Sequence, residues 1–220
     1  MVIRSPARRR LVLWRHGRTE WNRVNRAQGH ANVSLDEVGV AQAERAAPML
    51  ATYEPASVWS SDLARARETA ERLVTLTGQE LVLDKRLREY DVGARQGLTF
   101  PEFRAAFPDL YDGYMAGHDV RIPGAETTSE VCERMVAAMR DAADALREGE
   151  TGVLVGHGAS LRAGLLAFFA APVELSEMLA GMSNCAWAVL QDRHGRGWQI
   201  IDYNAKTLPE PQQLADDPHA

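Results

Sequence analysis

The chain has 220 residues, 45% of them hydrophobic and 25% charged, with a formal net charge of −5. Those values suit one soluble globular domain with a substantial core and argue against a general nucleic-acid binder, whose footprint is basic. An anionic ligand would need a local cluster of Arg or Lys, because the overall field does not attract it. The apolar runs are too short to span a bilayer. Only Leu11 to Trp14 follow the basic Arg4, Arg8, Arg9 and Arg10, so no signal-peptide core is expected there. Cys132 and Cys185 have no metal-ligand spacing, and a reduced, cytoplasmic protein is expected.

Residues 1–10 read as a flexible flank. Leu11-Val12-Leu13-Trp14 reads as a buried strand, with Gly17 marking its exit. Arg15 and His16 then stand at the carboxyl end of a strand, where open α/β sheets bind ligands. Residues 18–29 are polar, a loop with room for one helical turn. Ser34 to Glu37 has the form of a capping box opening an Ala-rich helix to about Tyr53; Pro48 is expected to kink it or detach its last turn. A second strand covers Ala56 to Ser60. Leu63, Ala66, Ala70, Leu73 and Val74 then recur at helical spacing up to a stop at Gly78. Leu81 to Leu83 is a third strand, and residues 87–97 an ordered loop.

Thr99 with Glu102 is another capping-box candidate, but Pro108 to Gly124 lacks clear periodicity. Residues 98–126 are therefore expected to form a lid-like excursion over the sheet edge. Thr127 with Glu130 caps a long helix ending at Gly149. Val153 to Gly156, followed by His157 and Gly158, repeats the strand–histidine–glycine order of the first strand. An apolar helix spans about Ser160 to Phe169, and a further segment starts at Pro172. Cys185 to Gln191 and Gly197 to Tyr203 form a hairpin, and residues 205–220 read as a disordered tail. The alternation predicts a single α/β domain over 11–204, a three-layer α/β/α fold with a mostly parallel central sheet and an antiparallel edge.

The chemistry converges on two imidazoles at strand ends. Arg15 adjoins His16, and Arg65 lies near a helix N-terminus, itself a favourable place for anions. Glu89 stands in the loop after the third strand, and Asn22 and Gln28 add amide donors in the first loop. This set suits a phosphoryl dianion, which guanidiniums neutralise and bind bidentately. A metal site of His16, His157 and Glu89 competes with it. Neighbouring arginines would oppose a cation, and no His-x₃-His or Cys-x₂-Cys spacing is present. Taken singly, each histidine reads as an ordinary core residue; the repeated strand-end placement is what speaks for a site.

The run Leu13-Trp14-Arg15-His16-Gly17-Arg18-Thr19-Glu20-Trp21-Asn22 resembles the signature of the histidine phosphatase superfamily, the group that includes cofactor-dependent phosphoglycerate mutases. The likeness continues, in the family's order, through Gln28-Gly29 and the stretch from Ser60 to Ala70. It resumes at Leu87-Arg88-Glu89, Gly97, Val155 to Gly158 and Asn184-Cys185, covering about 11–203. The resemblance implies a metal-independent phosphomonoesterase without a cofactor, with His16 as the nucleophile that becomes phosphorylated. Arg15, Arg65 and His157 would bind the transferred phosphoryl group, with Asn22, Gln28 and Gly29 assisting. Glu89 would act as general acid for the leaving alcohol and then as base for water. The guanidiniums should keep His16 neutral; they favour an ionised Glu89, and a bound phosphate dianion favours its protonated form.

The sequence departs from the family at Arg95, where many members carry an aromatic residue, and at Gln96, where they carry glutamate. With the compact 98–126 segment, this favours a phosphatase over a mutase. Gln96 to Thr99 and Gly181 to Asn184 are most similar to the glucosyl-3-phosphoglycerate phosphatase type. The implied substrate is a small phosphorylated metabolite, a phosphosugar or a phosphoglycerate derivative such as glucosyl-3-phosphoglycerate. A phosphoglycerate mutase and a non-catalytic phospho-ligand module are the alternatives. His118 and Arg121 read equally as exposed loop and as selectors of the leaving group, and Phe103, Phe107 and Tyr111 as packing for the lid. The hairpin edge is a candidate homodimer surface.

Overall fold

The computed structural model describes residues 8–116 and 120–207; His118 lies outside them. Six strands form one sheet in the order β3-β2-β4-β1-β5-β6. They are β1 Arg10–Arg15, β2 Ser57–Ser60, β3 Leu81–Leu83, β4 Thr151–Gly156, β5 Trp187–Asp192 and β6 Trp198–Ala205. β1 pairs in parallel with β4, β2 in parallel with β3 and β4, while β5 runs antiparallel to both β1 and β6. The sheet is thus parallel with an antiparallel edge, as the alternation predicts.

Side chains alternate across a strand, and β1 divides the core accordingly. Leu11 and Leu13 pack with Leu154, Val131, Met135, Met139, Leu161 and Leu165 on one face. Val12 and Trp14 pack with Val153, Val155, Ala43, Leu50, Ala66 and Leu73 on the other. The first cluster is covered by α6 (Thr128–Asp144) and α7 (Gly158–Phe168), the second by α2 (Glu37–Ala51) and α3 (Ala64–Thr77). A one-turn helix α1 (Glu20–Arg23) follows β1. Among the described residues no helix is long and apolar enough to cross a membrane.

Several boundaries differ from the sequence reading. The cap of α2 is Asp36, whose side chain accepts the Gly39 N–H, and Ser34 lies outside the helix. Pro48 does not end α2, which runs on to Ala51. It sits on the exposed face, so the carbonyl it cannot pair is open to water. Two residues of the flank predicted over 1–10 are ordered parts of the fold: Arg10 opens β1, and Arg9 donates to Asp192 at 3.0 and 2.8 Å. Ala205, placed in the tail by the sequence, pairs with Trp187 in β6. The long helix α6 ends at Asp144, ahead of Gly149, with Leu146 still buried beyond it.

The excursion holds more structure than its lack of periodicity indicates. Thr99 and Glu102 form the expected capping box of α4 (Phe100–Ala106), and α5 (Pro108–Met115) follows directly. Phe103 is fully buried and meets Phe107, Tyr111 and Tyr114. The Arg95 guanidinium lies 4.7 Å from the Phe100 ring, 4.8 Å from Tyr114 and 5.6 Å from Phe103. Arg26, in the first loop, ion-pairs with Glu102 at 2.9 Å, so the excursion is tied to the loop after β1.

Candidate active site

The register pairs Arg15 with Gly156, the last residues of the two central parallel strands. Both chains leave the sheet together, which sets the His16 and His157 rings 5.1 Å apart between centroids. His16 is held on its backbone by Gly156, whose carbonyl accepts its N–H at 3.0 Å, and by Cys185 and Asn184, which donate to its carbonyl at 3.2 and 3.1 Å. The turn at Gly17 is tight: a Cβ there would stand 2.4 Å from the Gly39 carbonyl oxygen. Thr69 accepts the Gly17 N–H at 3.0 Å and donates to the Arg65 carbonyl at 2.7 Å, joining β1's exit to α3.

His16 Nδ1 lies 2.6 Å from the Gly17 carbonyl oxygen. A carbonyl only accepts, so the proton belongs on Nδ1 and the neutral ring keeps its lone pair on Nε2. Burial, then the charges of Arg65 and Arg15, hold the His16 imidazole well below the usual histidine range. The neutral form is therefore the resting one. His157 has the opposite tautomer. Its Nδ1 accepts from Arg65 Nε at 3.1 Å, so the proton sits on Nε2 and is donated to Ser61 Oγ at 2.9 Å. Burial, and then Arg65, push its pKa down in the same direction.

Arg65 is 1% exposed. Its other nitrogens donate to the Ala31 and Gly29 carbonyls, each at 2.8 Å. Burial lowers its pKa to about 10, with Glu89 opposing the shift and Arg15 adding to it, so it stays a cation at neutral pH. Arg15 donates to the Met182 carbonyl and packs against the start of α7, where a Cβ on Gly158 would meet its Nε at 3.2 Å. Glu89 faces that same helix start. Its Oε1 accepts from Tyr90 N at 3.0 Å and Ser160 N at 2.9 Å, and its Oε2 from Ala159 N at 3.2 Å. The helix N-terminus that follows His157 thus fixes the orientation of the carboxylate.

Asn22 Oδ1 is occupied by the Thr19 N–H at 3.1 Å and hydroxyl at 3.0 Å, with Asn184 Nδ2 at 3.5 Å. That leaves its Nδ2 as the group to offer a ligand. Gln28 Oε1 is buried and has no hydrogen-bond partner among the described residues. Gly29, at φ +50°, turns its carbonyl to Arg65. The sequence reading did not single out Ser61 or Thr69, although Ser61 leaves β2 much as His16 leaves β1. Among the described residues no group of three or more His, Cys, Asp or Glu is arranged to hold a metal ion.

A model described as the histidine phosphatase superfamily (branch 1) matches residues 11–206. The glucosyl-3-phosphoglycerate phosphatase of Mycolicibacterium vanbaalenii is 36% identical over 193 residues, covering 83% of this chain and 84% of that one. The metal-independent phosphoserine phosphatase of Arabidopsis thaliana is 37% identical over 157 residues, 70% of this chain and 66% of its own. Among solved structures, a mycobacterial glucosyl-3-phosphoglycerate phosphatase in complex with VO3 has a TM-score of 0.81 at 34% identity, covering 90% of this chain and 100% of that one.

Proposed function

Because the chain belongs to the histidine phosphatase superfamily, we propose that it is a metal-independent phosphomonoesterase working through a phosphohistidine at His16. The observation that carries this reading is the bond from His16 Nδ1 to the Gly17 carbonyl, which leaves Nε2 unprotonated beside two guanidiniums. Arg15 and Arg65 neutralise the entering phosphoryl dianion, a role that would oppose a metal cation. His157, whose N–H is held by Ser61 Oγ, lines the pocket beside His16, and Asn22, Gln28 and Gly29 complete it. Nε2 attacks phosphorus in line while the ester C–O–P oxygen departs, taking a proton from Glu89. Glu89, now ionised, accepts a proton from water as the water oxygen attacks the phosphorus. The P–N bond breaks, its electron pair returns to Nε2, and inorganic phosphate leaves. Two displacements replace one, with charge stabilised by groups already in place.

The substrate in this reading is a small phosphorylated metabolite, a phosphosugar or phosphoglycerate derivative such as glucosyl-3-phosphoglycerate. The name of the Mycolicibacterium relative supports that choice, and that of the Arabidopsis relative supports metal independence. The same reading includes a single domain over 11–204, a cytoplasmic setting with both thiols free, and a homodimer through the β6 edge.

The test is rapid mixing with a ³²P-labelled ester panel, quenched in alkali so that phosphohistidine survives. We expect label on His16 at a rate that supports turnover, phosphate release from glucosyl-3-phosphoglycerate, and no 3- to 2-phosphoglycerate conversion. His16→Ala should lose both label and turnover while binding inorganic phosphate weakly. Turnover retained by that variant would overturn the mechanism, and interconversion without phosphate release would make the protein a mutase.

A further inference from the structure

The guanidinium of Arg134, on α6, is fully engaged by Glu126 and by the stretch from 86 to 89. Nε and Nη2 donate to the two oxygens of Glu126, each at 2.8 Å. Nη2 also donates to the Glu89 carbonyl at 2.9 Å, and Nη1 to the carbonyls of Arg86 and Arg88 at 2.8 and 2.6 Å. Arginine has five N–H donors in one plane, and all five are placed. Glu126 continues the arrangement on the far side of Glu89. Its Oε2 accepts the Asp91 N–H at 2.7 Å, and its own N–H donates to the Asp91 carbonyl at 2.9 Å. His30 Nε2 gives the Glu89 carbonyl a second donor at 2.8 Å.

The chain from 88 to 91 belongs to no helix or strand, so these contacts replace the constraints that regular structure would supply. They leave the Glu89 side chain untouched, and its carboxylate is aimed separately by the start of α7. Burial works against the charge on Glu126, but the hydrogen bonds from Arg134 and Asp91 and the charge of Arg134 outweigh it and hold that carboxyl below its ordinary range. The pair therefore presents no net charge to the site. What it controls is where the Glu89 backbone stands.

We propose that Arg134, with Glu126 as its counter-ion, is a positioning residue for proton transfer by Glu89. It fixes the carbonyls on either side of that residue so that the carboxylate reaches the leaving-group oxygen. The proposal rests on the reading of Glu89 as general acid. Placement matters because a displacement of about 1 Å can cost on the order of 100-fold in rate. Lysine cannot replace this arginine, having three donors on a flexible stem in place of a rigid planar fork.

Leaving-group dependence separates positioning from general loosening. An aryl phosphate such as 4-nitrophenyl phosphate expels a good leaving group that needs little protonation, whereas an alkyl phosphate such as glycerol phosphate needs the acid. We expect Arg134→Gln and Arg134→Lys to lower kcat/KM at least about 10-fold more for the alkyl than for the aryl ester, within the range that general acids contribute. Inhibition by inorganic phosphate should be unchanged, since Arg15, Arg65 and His157 are not touched. Glu126→Gln, which keeps the shape of the clamp, should show the same discrimination to a smaller degree and serves if the Arg134 variants fold poorly. Equal losses on the two esters, or full rescue by lysine, would overturn the proposal. If Glu89→Gln itself fails to discriminate between the esters, the general-acid reading falls first and takes this one with it.

Discussion

Lowering the pH from about 6 to about 5 should cost this protein stability through His16 and His157 alone. Both are buried, and burial followed by the charge of Arg65 holds both well below the ordinary histidine range. In the unfolded chain each titrates near 6.5. Below that value the unfolded state binds protons that the folded state refuses, so stability rises with pH across the window and falls as acid is added. The contribution is fully present above about pH 6.5 and is lost as pH drops towards the depressed folded values. One proton per histidine corresponds to about 1.4 kcal/mol per pH unit, hence about 2.7 kcal/mol per unit for the two. Carboxylates held low by ion pairs, such as Asp62 beside Arg88, act with the same sign, but only near and below about pH 4. Urea unfolding at pH 7.5, 6 and 5 measures the slope. The control is the double variant His16→Asn, His157→Asn, whose amides can reproduce the Nδ1 bonds to Gly17 and from Arg65. Its stability should fall less steeply between pH 6 and 5 than the parent's, by at most about 2.7 kcal/mol per unit. Equal slopes in the two proteins would refute the reasoning.

Gly39→Ala should destabilise the fold by about 2 kcal/mol or more, because the new Cβ would stand 1.9 Å from the Arg18 carbonyl oxygen and 2.7 Å from its nitrogen. Urea midpoints read the loss, phosphate affinity should fall with it, and an unchanged midpoint would count against the packing argument. Arg95→Leu should lower the melting temperature by an amount corresponding to about 1–2 kcal/mol, through loss of the cation held against Phe100 and Tyr114. Inorganic phosphate should bind as before, and a leucine variant as stable as the parent would show that the ring contacts contribute nothing.

The parts of the fold announced by local signals were the ones readable in advance. An apolar run stopped by glycine marks both β1 and β4, and a hydroxyl followed three residues on by a carboxylate marks the starts of α4 and α6. Where two residues could do the same job, tertiary contacts decided. Ser34 and Asp36 are both competent caps, but Asp36 is chosen because its N–H donates to the Arg18 carbonyl and Arg18 Nε donates to its side chain at 2.9 Å. α5 carries its aromatics towards a cation from outside the helix, an arrangement that periodicity within the segment cannot reveal. Arg134 was equally hidden. On an amphipathic helix it reads as a solvated charge, and only the return of the chain from 86 to 91 makes it a partner of Glu89. The side chains of the candidate site were thus legible in the sequence, and what holds them in place was not.

The place of β1 in the sheet bears on how the protein is made. It lies between β4 and β5, and the backbone of His16 is tied to Gly156 and Cys185. The residue read as the nucleophile leaves the ribosome well before β4 and β5, the strands that supply its surroundings. Until those strands emerge, a growing chain carries His16 without a pocket around it. Such long-range pairing is slow to close, and the candidate site arises only when the central strands join. Under the proposed reading, phosphate bound there would stabilise the completed fold over every partial one, so ligand capture would act late in folding.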